Sequence, residues 1–186
     1  MAASDDELMR RIQGGDAAAL GDLFTRHQPA VFRFLCRFMG DATAAEDTTQ
    51  EVFWRVWQYR SRFGGGALAS WIYTIARHAA LDDLRRRKQR GEERAEAGDE
   101  LAGTGCEPER GLLEANLREQ VRRALLELPE EQRLAVILRE YEGRSHREIG
   151  EILGCSEGNA RVIAHRARCA LRRRLRPVLE EEDCRV

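Results

Sequence analysis

The sequence has no stretch of about 18 uncharged apolar residues, and its N-terminus is acidic where a signal peptide would be basic and then apolar. We therefore expect neither a membrane-inserted helix nor a secretory leader, and a cytoplasmic location. Runs in which Val, Ile, Thr and Tyr alternate with polar residues are also missing, so no strand is predicted. Only four prolines interrupt long stretches rich in Ala, Leu, Arg and Glu, which favours an all-α fold.

The five cysteines are odd in number, stand far apart and form no C-x-x-C pair, so neither a disulfide framework nor a zinc ribbon is indicated. One alternative function is a metal or thiol sensor, because His165 and Cys169 are four residues apart on one predicted helix, with His146 and Cys155 nearby in sequence. No motif supplies a nucleophile with a base, or a glycine loop that could cradle a phosphate. We therefore expect no enzyme, no cofactor and no resident metal.

The formal net charge of −1 hides a strong segregation of charge along the chain. Residues 61–90 carry seven basic and two acidic groups, and residues 143–178 carry nine and three. The segment 91–142 between them carries seven basic and 14 acidic groups. Two separated basic surfaces suit contact with an extended polyanion at two places, although two solvated helix faces would give the same count.

Glycines, prolines and capping residues divide the chain into two small helical domains joined by a flexible acidic linker. Residues 1–90 are predicted to form four helices, the third from about Ala44 to Tyr59 and the fourth from Ser70 or a neighbour to Lys88. Residues 91–108 hold four glycines and many acids, which is typical of a linker that can separate two bodies. The C-terminal domain, 109–178, is followed by an acidic tail, 179–186, and its predicted helices are 109–127, 130–141, 146–153 and 156–175.

The last two predicted helices have the pattern of a helix-turn-helix. Gly150 is small where two helices cross, Gly154 can take a positive φ in the turn, and Ser156 can cap the second helix. That helix has an apolar face and an opposite basic face, the latter carrying Arg161, His165, Arg168 and Arg172. A recognition helix needs both faces to pack on its domain and enter the DNA major groove. An amphipathic core helix with a solvated face is the alternative.

Seven aromatic residues crowd between Phe53 and Tyr73, beside a glycine-rich loop and the basic run Arg85 to Lys88. Aromatic rings with arginines form stacking platforms for unpaired bases, so single-strand binding is one interpretation and a tryptophan-rich small core is the other. On helix 71–87 the pattern predicts that Ile72, Ile75, Ala76, Ala79 and Leu84 face inward. It leaves the outer side to Thr74, Arg77, His78, Asp82 and Arg85.

The preceding helix, 44–59, carries an acidic stripe with an apolar anchor at spacings of three, one and three residues. A basic protein partner would fit this stripe, and a solvated helix face is the alternative. The stripe consists of Asp47, Gln50, Glu51 and Trp54.

These segments together resemble the extracytoplasmic-function (ECF) sigma factors, the small two-domain sigma subunits of bacterial RNA polymerase. The stretch AEDTTQEVFWRVW is similar to their polymerase-binding helix, and WIYTIARHAALDDLRRR to the helix that binds the minus-ten promoter element. The run from LPEEQRLAVILREYEG to the end of RARCALRRRL resembles their minus-thirty-five domain. The match extends in order and at family spacing from about residue 8 to 176.

The resemblance implies a sigma factor that directs promoter-specific initiation. Its implied partners are core RNA polymerase, through the β′ clamp helices and the β flap, promoter DNA, and an anti-sigma factor. The anti-sigma factor could tether the chain at the membrane. It implies that Asp47, Gln50, Glu51 and Trp54 dock on the clamp helices, and that the acidic linker threads the RNA channel. Melted minus-ten DNA would be bound by Phe63, Trp71, Tyr73, Arg77, His78 and Arg85. The minus-thirty-five duplex would be bound by Arg144, Arg147, Ser156, Glu157, Asn159, Arg161, His165 and Arg166.

This chain departs from the family pattern inside both predicted DNA-binding helices. The family usually has Asn at the position of His78, and its recognition helix often has a hydroxyl and an arginine where this chain has Val162 and Ile163. We expect Ile163 to pack inward, leaving Arg161, His165 and Arg166 to read the duplex. The remaining alternative is a stand-alone helix-turn-helix regulator, although no heptad run is long enough for a zipper dimer.

Overall fold

A computed structural model of the chain describes residues 3–91 and 112–183, and every regular element within them is helical. The predicted all-α fold with two helical regions is therefore confirmed, while the linker residues 92–108 lie outside the described ranges. The N-terminal domain contains α1 (Asp5–Gln13), α2 (Ala17–Met39), α3 (Ala42–Gln58), a 3-10 turn (Arg60–Arg62) and α4 (Leu68–Gln89). The C-terminal domain contains α5 (Leu112–Leu126), α6 (Glu130–Glu140), α7 (His146–Leu153) and α8 (Glu157–Asp183).

Short polar side chains begin most helices, as the sequence predicts. Ser4 accepts a hydrogen bond from the Glu7 amide, and Asp16 accepts from the first turn of α2. Asp41 accepts from the Ala44 amide, which places the start of α3 two residues before the predicted one. The start of α4 also differs, because Ser70 is buried inside the first turn and Ala67 precedes the helix without a side-chain cap.

Helix α8 is longer than predicted. It continues past residue 175 and across Pro177 to Asp183, so residues 179–183 of the predicted acidic tail belong to the helix. A proline removes one backbone hydrogen bond, and here this loss does not end a helix of 27 residues. No helix among the described residues is long and apolar enough to cross a membrane.

The turn between α7 and α8 has the geometry that the glycine pattern predicts. Gly154 has a φ of 72° and ends α7, and the Cys155 amide donates to the Gly150 carbonyl at 2.9 Å. Ser145 and Glu148 form a complete capping box at the start of α7. A Cβ atom at Gly150 would lie 2.8 Å from the Cys155 carbonyl oxygen, so the turn folds directly over this glycine.

Replacing Gly150 by alanine is expected to lower the free energy of unfolding by about 1–3 kcal/mol, because the added methyl group meets rigid backbone. Denaturant unfolding of the full chain measures this change. Gly158→Ala is the matched control, since nothing lies within 4 Å of a Cβ at that helical position. A Gly150→Ala protein as stable as the wild type would contradict the close approach.

The two domains pack directly against each other, with α2 against α5 and α6 and with α4 against α7. Arg133 of α6 is 2% exposed and donates from Nη1 to the Phe38 carbonyl at 2.8 Å. A Cβ atom at Gly40, which ends α2 with a φ of 75°, would lie 2.7 Å from Leu126 Cδ1. The acidic segment suggests that the two domains are held apart, whereas in this structure they are in direct contact.

Candidate nucleic-acid interfaces

Helix α8 presents a polar and basic face to solvent beyond the N-terminal turn that Ser156 caps. Ala160, Ala164 and Ala167 are buried and fix the orientation of the helix, and Ile163 packs partly inward as expected. The predicted duplex-binding residues are exposed with one exception, and the exposed ones are Arg147, Ser156, Glu157, Asn159, Arg161, His165 and Arg166. Such a face can enter a major groove while the alanine face holds the helix on its domain.

Local contacts hold the side chains at the N-terminal end of this face. The Ser156 hydroxyl accepts from the Asn159 amide at 3.2 Å, and Arg161 Nη2 lies 3.2 Å from Glu157 Oε1. Both members of the second pair are exposed, so its contribution to stability is small and Arg161 can exchange Glu157 for a base edge.

Arg144 is the exception among the predicted duplex-binding residues. It is half-buried, it bonds Glu148 at 3.2 Å, and its guanidinium lies 4.9 Å from the centre of the Tyr73 ring in the other domain. In this form of the molecule Arg144 therefore belongs to the contact between the domains and not to the exposed face of the helix-turn-helix.

Val162 also belongs to the exposed face of α8, although it is not a charged residue and is not among the predicted duplex-binding residues. Its side chain is 45% exposed, next to Arg161 and one turn before His165. The signal was present in the sequence, because Val162 is three residues before His165 on the same helix and outside the alanine stripe. An exposed apolar group in a recognition helix can contact the methyl group of thymine.

The predicted single-strand-binding residues divide between two sides of α4. Trp71, His78 and Arg85 recur every seven residues and share one side, whereas Tyr73 and Arg77 lie on the side that packs against the C-terminal domain. The Trp71 ring also lies 5.2 Å from the Phe63 ring at a tilted angle, and both rings are partly exposed. These two rings form an aromatic platform at the start of α4.

Tyr73 is not available as a stacking residue. It is 3% exposed, and its ring packs edge-on against Phe34 in the core of the N-terminal domain, with 5.1 Å between the ring centres. The hydroxyl donates to Glu142 Oε2 of the C-terminal domain at 2.6 Å. Burial and the Glu142 carboxylate raise the pKa of Tyr73, so the phenol stays protonated and acts as a donor.

Arg77 was expected on the outer side of α4, but it is half-buried against α7. Its Nη1 atom lies 3.5 Å from the Ile152 carbonyl oxygen, a long hydrogen bond. His78 is exposed, and partial desolvation together with the nearby Arg77 charge lowers its pKa. At neutral pH the imidazole is therefore mainly neutral and offers one donor and one acceptor.

The C-terminal end of α4 carries the free arginines of this basic block. Arg87 is engaged, because its Nη1 donates to Asp41 Oδ2 at 2.7 Å and its guanidinium forms an ion pair with Asp83, also at 2.7 Å. Arg85 and Arg86 make only long contacts with aspartates, 4.0 and 3.8 Å, and extend into solvent. These two side chains can reach the phosphates of a strand lying along α4.

The acidic stripe on α3 is exposed in three of its four positions. Asp47 and Gln50 are solvent-exposed, and Trp54 has 56% of its surface exposed, more than any other large apolar residue of the described chain. Glu51 is engaged, because its Oε1 accepts from Arg55 Nε at 2.8 Å. The free groups form an amphipathic patch with one large aromatic anchor, which is the composition of a protein-binding surface.

The geometry does not favour the metal-sensor alternative. His165 Nε2 and Cys169 Sγ are 3.6 Å apart, but they form an isolated pair on an exposed face. Within the described ranges, no three His, Cys, Asp or Glu side chains cluster closely enough to hold a metal ion.

Two family models match the chain, one in each domain. Residues 23–90 match sigma-70 region 2, and residues 118–171 match sigma-70 region 4. The RNA polymerase sigma-H factor of Pseudomonas aeruginosa is 32% identical, over 95% of this chain and 96% of the relative. CarQ, an RNA polymerase sigma factor of Myxococcus xanthus, is 37% identical over 85% of this chain and 90% of its own. The ECF sigma-E factor of Escherichia coli is 31% identical over 95% of this chain and 96% of the relative.

Solved structures of similar fold cover most of the chain. The sigma factor RpoE of Bartonella quintana, crystallised with the anti-sigma factor NepR, has a TM-score of 0.67 and 25% identity, covering 84% of this chain and 96% of its own. CnrH, solved in complex with the cytosolic domain of CnrY, has a TM-score of 0.70 and covers 91% of this chain and 96% of its own. Its sequence identity is 23%, so this likeness supports the fold alone.

Proposed function

The chain belongs to the ECF sigma factors, which direct bacterial RNA polymerase to specific promoters, and we propose that its two domains divide promoter recognition between α4 and α8. The observation that carries this division is the pair of separate exposed surfaces: an aromatic and basic one on α4 and a basic one on α8. The chain supplies binding energy and positioning, and the polymerase supplies the chemistry.

The α8 surface would read the minus-thirty-five duplex. Arg161, Val162 and His165 face outward near the N-terminal half of the helix, where side chains of a recognition helix reach base edges. Arg147, Arg166 and the arginines of 172–174 would contact phosphates and fix the register. Because Val162 stands where relatives often have a hydroxyl, we expect a thymine methyl group at the base step facing it.

The α4 surface would hold one unpaired base of the melted minus-ten element. Flipping a base out of the stack costs a few kcal/mol, which stacking and hydrogen bonds in a pocket must offset. Phe63 and Trp71 provide the stacking rings, and neutral His78 provides the donor and acceptor that Asn would supply in relatives. Arg85 and Arg86 would bind the flanking phosphates.

The α3 patch would dock on the β′ clamp helices of the polymerase through Asp47, Gln50 and Trp54, with Glu51 orienting Arg55 beneath it. The C-terminal domain would contact the β flap, and the acidic segment 91–108 would lie in the RNA channel. These placements follow the family resemblance and the exposure of the patch.

An anti-sigma factor is the expected negative partner. The similar sigma factor RpoE is bound to the anti-sigma factor NepR in its crystal structure. By analogy, this chain would act in the cytoplasm and could be held at the membrane by a partner that spans it.

Run-off transcription tests the proposed function directly. Core RNA polymerase transcribes a fragmented genomic library of the bacterium that encodes the chain, with and without the protein. Discrete transcripts that require the protein and share a bipartite upstream motif are expected. Duplex binding without polymerase, together with no dependent transcript, would instead favour the stand-alone regulator.

A further inference from the structure

A side chain of the first helix contacts the turn that carries Phe63. Gln13 is the last residue of α1, and its Nε2 atom donates to the Arg60 carbonyl at 3.1 Å and to the Phe63 carbonyl at 2.9 Å. Both partners are acceptors, so only the amide nitrogen of Gln13 can face them. One side chain therefore bridges the first residue of the 3-10 turn and the residue that follows the turn.

The 3-10 turn has little support of its own at its C-terminal end. Its last hydrogen bond, from the Phe63 amide to the Arg60 carbonyl, is long at 3.3 Å, in keeping with the poorer hydrogen-bond geometry of 3-10 helices. Arg60 fixes the start of the turn on α3, because its Nη1 donates to the Trp57 carbonyl at 2.7 Å. Gln13 fixes the end of the turn on α1.

The chain beyond Phe63 gives the ring no further support. Its next three residues are glycines, and a Cβ atom at Gly64, Gly65 or Gly66 would meet no other part of the described chain within 4 Å, sequence neighbours aside. Gly65 and Gly66 have φ values of 98° and 96°, a conformation that glycine adopts readily. The backbone position of Phe63 therefore depends on the contacts that precede the glycines.

Helix α1 is a firm base for the contact made by Gln13. Asp5 in its first turn pairs with Arg26 of α2 at 2.5 Å and contacts His27 Nε2 at 2.9 Å. Its apolar face is buried in the core of the N-terminal domain and consists of Leu8, Met9 and Ile12. The helix thus presents the Gln13 amide from a fixed position, although the side chain itself is exposed.

We propose that Gln13 is a positioning residue for minus-ten recognition. By holding the Phe63 carbonyl, it keeps the Phe63 ring 5.2 Å from the Trp71 ring, in the platform that stacks on an unpaired base. The inference rests on the proposed function, because that base belongs to the melted minus-ten element. It deepens the function by giving a specificity role to a residue that precedes the segment 23–90 matched to sigma-70 region 2.

Loss of the Gln13 amide should change recognition and leave stability almost unchanged. Because the site is exposed, water can pair with the two carbonyls once the amide is gone, and the free energy of unfolding should stay close to that of the wild type. A base that meets a displaced ring loses its stacking, which corresponds to about tenfold in affinity. A purely structural residue would lower stability first.

Two substitutions at Gln13 and one matched control test this role in the full chain. Gln13→Ala removes the donors, and Gln13→Glu keeps the shape of the side chain but turns acceptor oxygens toward both carbonyls. Arg10→Gln is the control, because Arg10 lies one turn earlier on α1 and pairs with Glu7 at 2.6 Å. Its replacement changes the net charge as Gln13→Glu does. Thermal unfolding checks that all three variants are folded.

Fluorine NMR of the free chain labelled with 5-fluorotryptophan gives the first readout. The chain has three tryptophans, and a Trp71→Phe variant assigns the Trp71 signal. In both Gln13 variants we expect the Trp71 signal to shift, because the Phe63 ring moves relative to it, while the Trp54 signal stays in place. The Arg10→Gln spectrum should match the wild type. A Trp71 signal that is unchanged in both Gln13 variants would overturn the inference.

Transcription by the holoenzyme gives the second readout. Its templates are the promoters that the wild type uses in the run-off assay, with each minus-ten base pair varied. Both Gln13 variants should lose about tenfold in open-complex formation and the preference at one minus-ten base pair, with unchanged affinity for core polymerase. Arg10→Gln should behave as the wild type.

The two readouts separate failure of this inference from failure of the proposed function. A shifted Trp71 signal with an unchanged minus-ten preference would overturn the role of Gln13 in recognition. A wild type that supports no transcription would refute the proposed function, while the NMR spectra would still decide whether Gln13 holds the turn.

Discussion

Replacing Trp54 by alanine is expected to weaken binding to core RNA polymerase by about 30-fold, the equivalent of roughly 2 kcal/mol. Trp54 is 56% exposed and lies at the C-terminal end of the acidic stripe, one turn beyond Gln50 and about two turns beyond Asp47 on α3. A tryptophan anchor surrounded by polar groups is the usual composition of a binding hot spot. Titration of labelled core enzyme with the purified chain measures the loss.

Tyr59→Ala provides the matched control for Trp54. Tyr59 is also an exposed aromatic residue, but it follows the end of α3 and its ring carries the Arg62 guanidinium at 4.9 Å. We expect near-wild-type affinity for Tyr59→Ala and unchanged thermal unfolding for both variants. If Trp54→Ala binds as tightly as the control, the stripe is a solvated face and the polymerase contact lies elsewhere.

Asp47→Arg is expected to weaken polymerase binding as well, and it distinguishes the contribution of the stripe's charge from that of its apolar anchor, Trp54. Electrostatic complementarity acts mostly on the association rate and depends on salt, whereas loss of an aromatic anchor raises the dissociation rate. The same titration at two salt concentrations therefore distinguishes the two variants. Only the defect of Asp47→Arg should diminish at high salt.

Local chemistry explains why most of the fold could be predicted from the sequence. Gly154 and Ser156 shape the turn of the helix-turn-helix through their own backbone and side-chain preferences, so these two residue types are enough to predict the turn. The alanines of α8 recur at helical spacing and identify its buried face. In each case the deciding contact is within a few residues of the signal.

The contact between the domains could not be predicted in this way. Arg133 is a charged residue, and helix periodicity alone does not predict that it is buried. It is buried because it donates to the Phe38 carbonyl, 95 residues away, and to the Leu126 carbonyl at the end of α5. Tyr73 and Arg77 carry residue types suited to DNA, but their exposure depends on where the other domain sits. A sequence pattern reports the chemistry of a side chain and not the distant surface that covers it.

Replacing Arg161 by alanine is expected to lower binding to the minus-thirty-five element by about 1–3 kcal/mol and to relax its preference at one base pair. Arg161 is exposed near the N-terminal end of α8, and it pairs with Glu157, an exposed neighbour one turn away. Two guanidinium donors can bind the O6 and N7 acceptors of guanine, an arrangement that the alanine variant cannot form. A library of promoters with every minus-thirty-five base pair varied measures both effects by transcription.

Arg172→Ala, measured with the same promoter library, distinguishes the loss of a base contact from the loss of a phosphate contact. Arg172 is exposed three turns further along α8, where a recognition helix leaves the base edges and follows the phosphates. Its loss should weaken all promoters equally and reduce the salt dependence of binding by about one counterion. If Arg161→Ala shows that same uniform loss, Arg161 holds a phosphate, and base recognition falls to His165 and to the apolar contact of Val162.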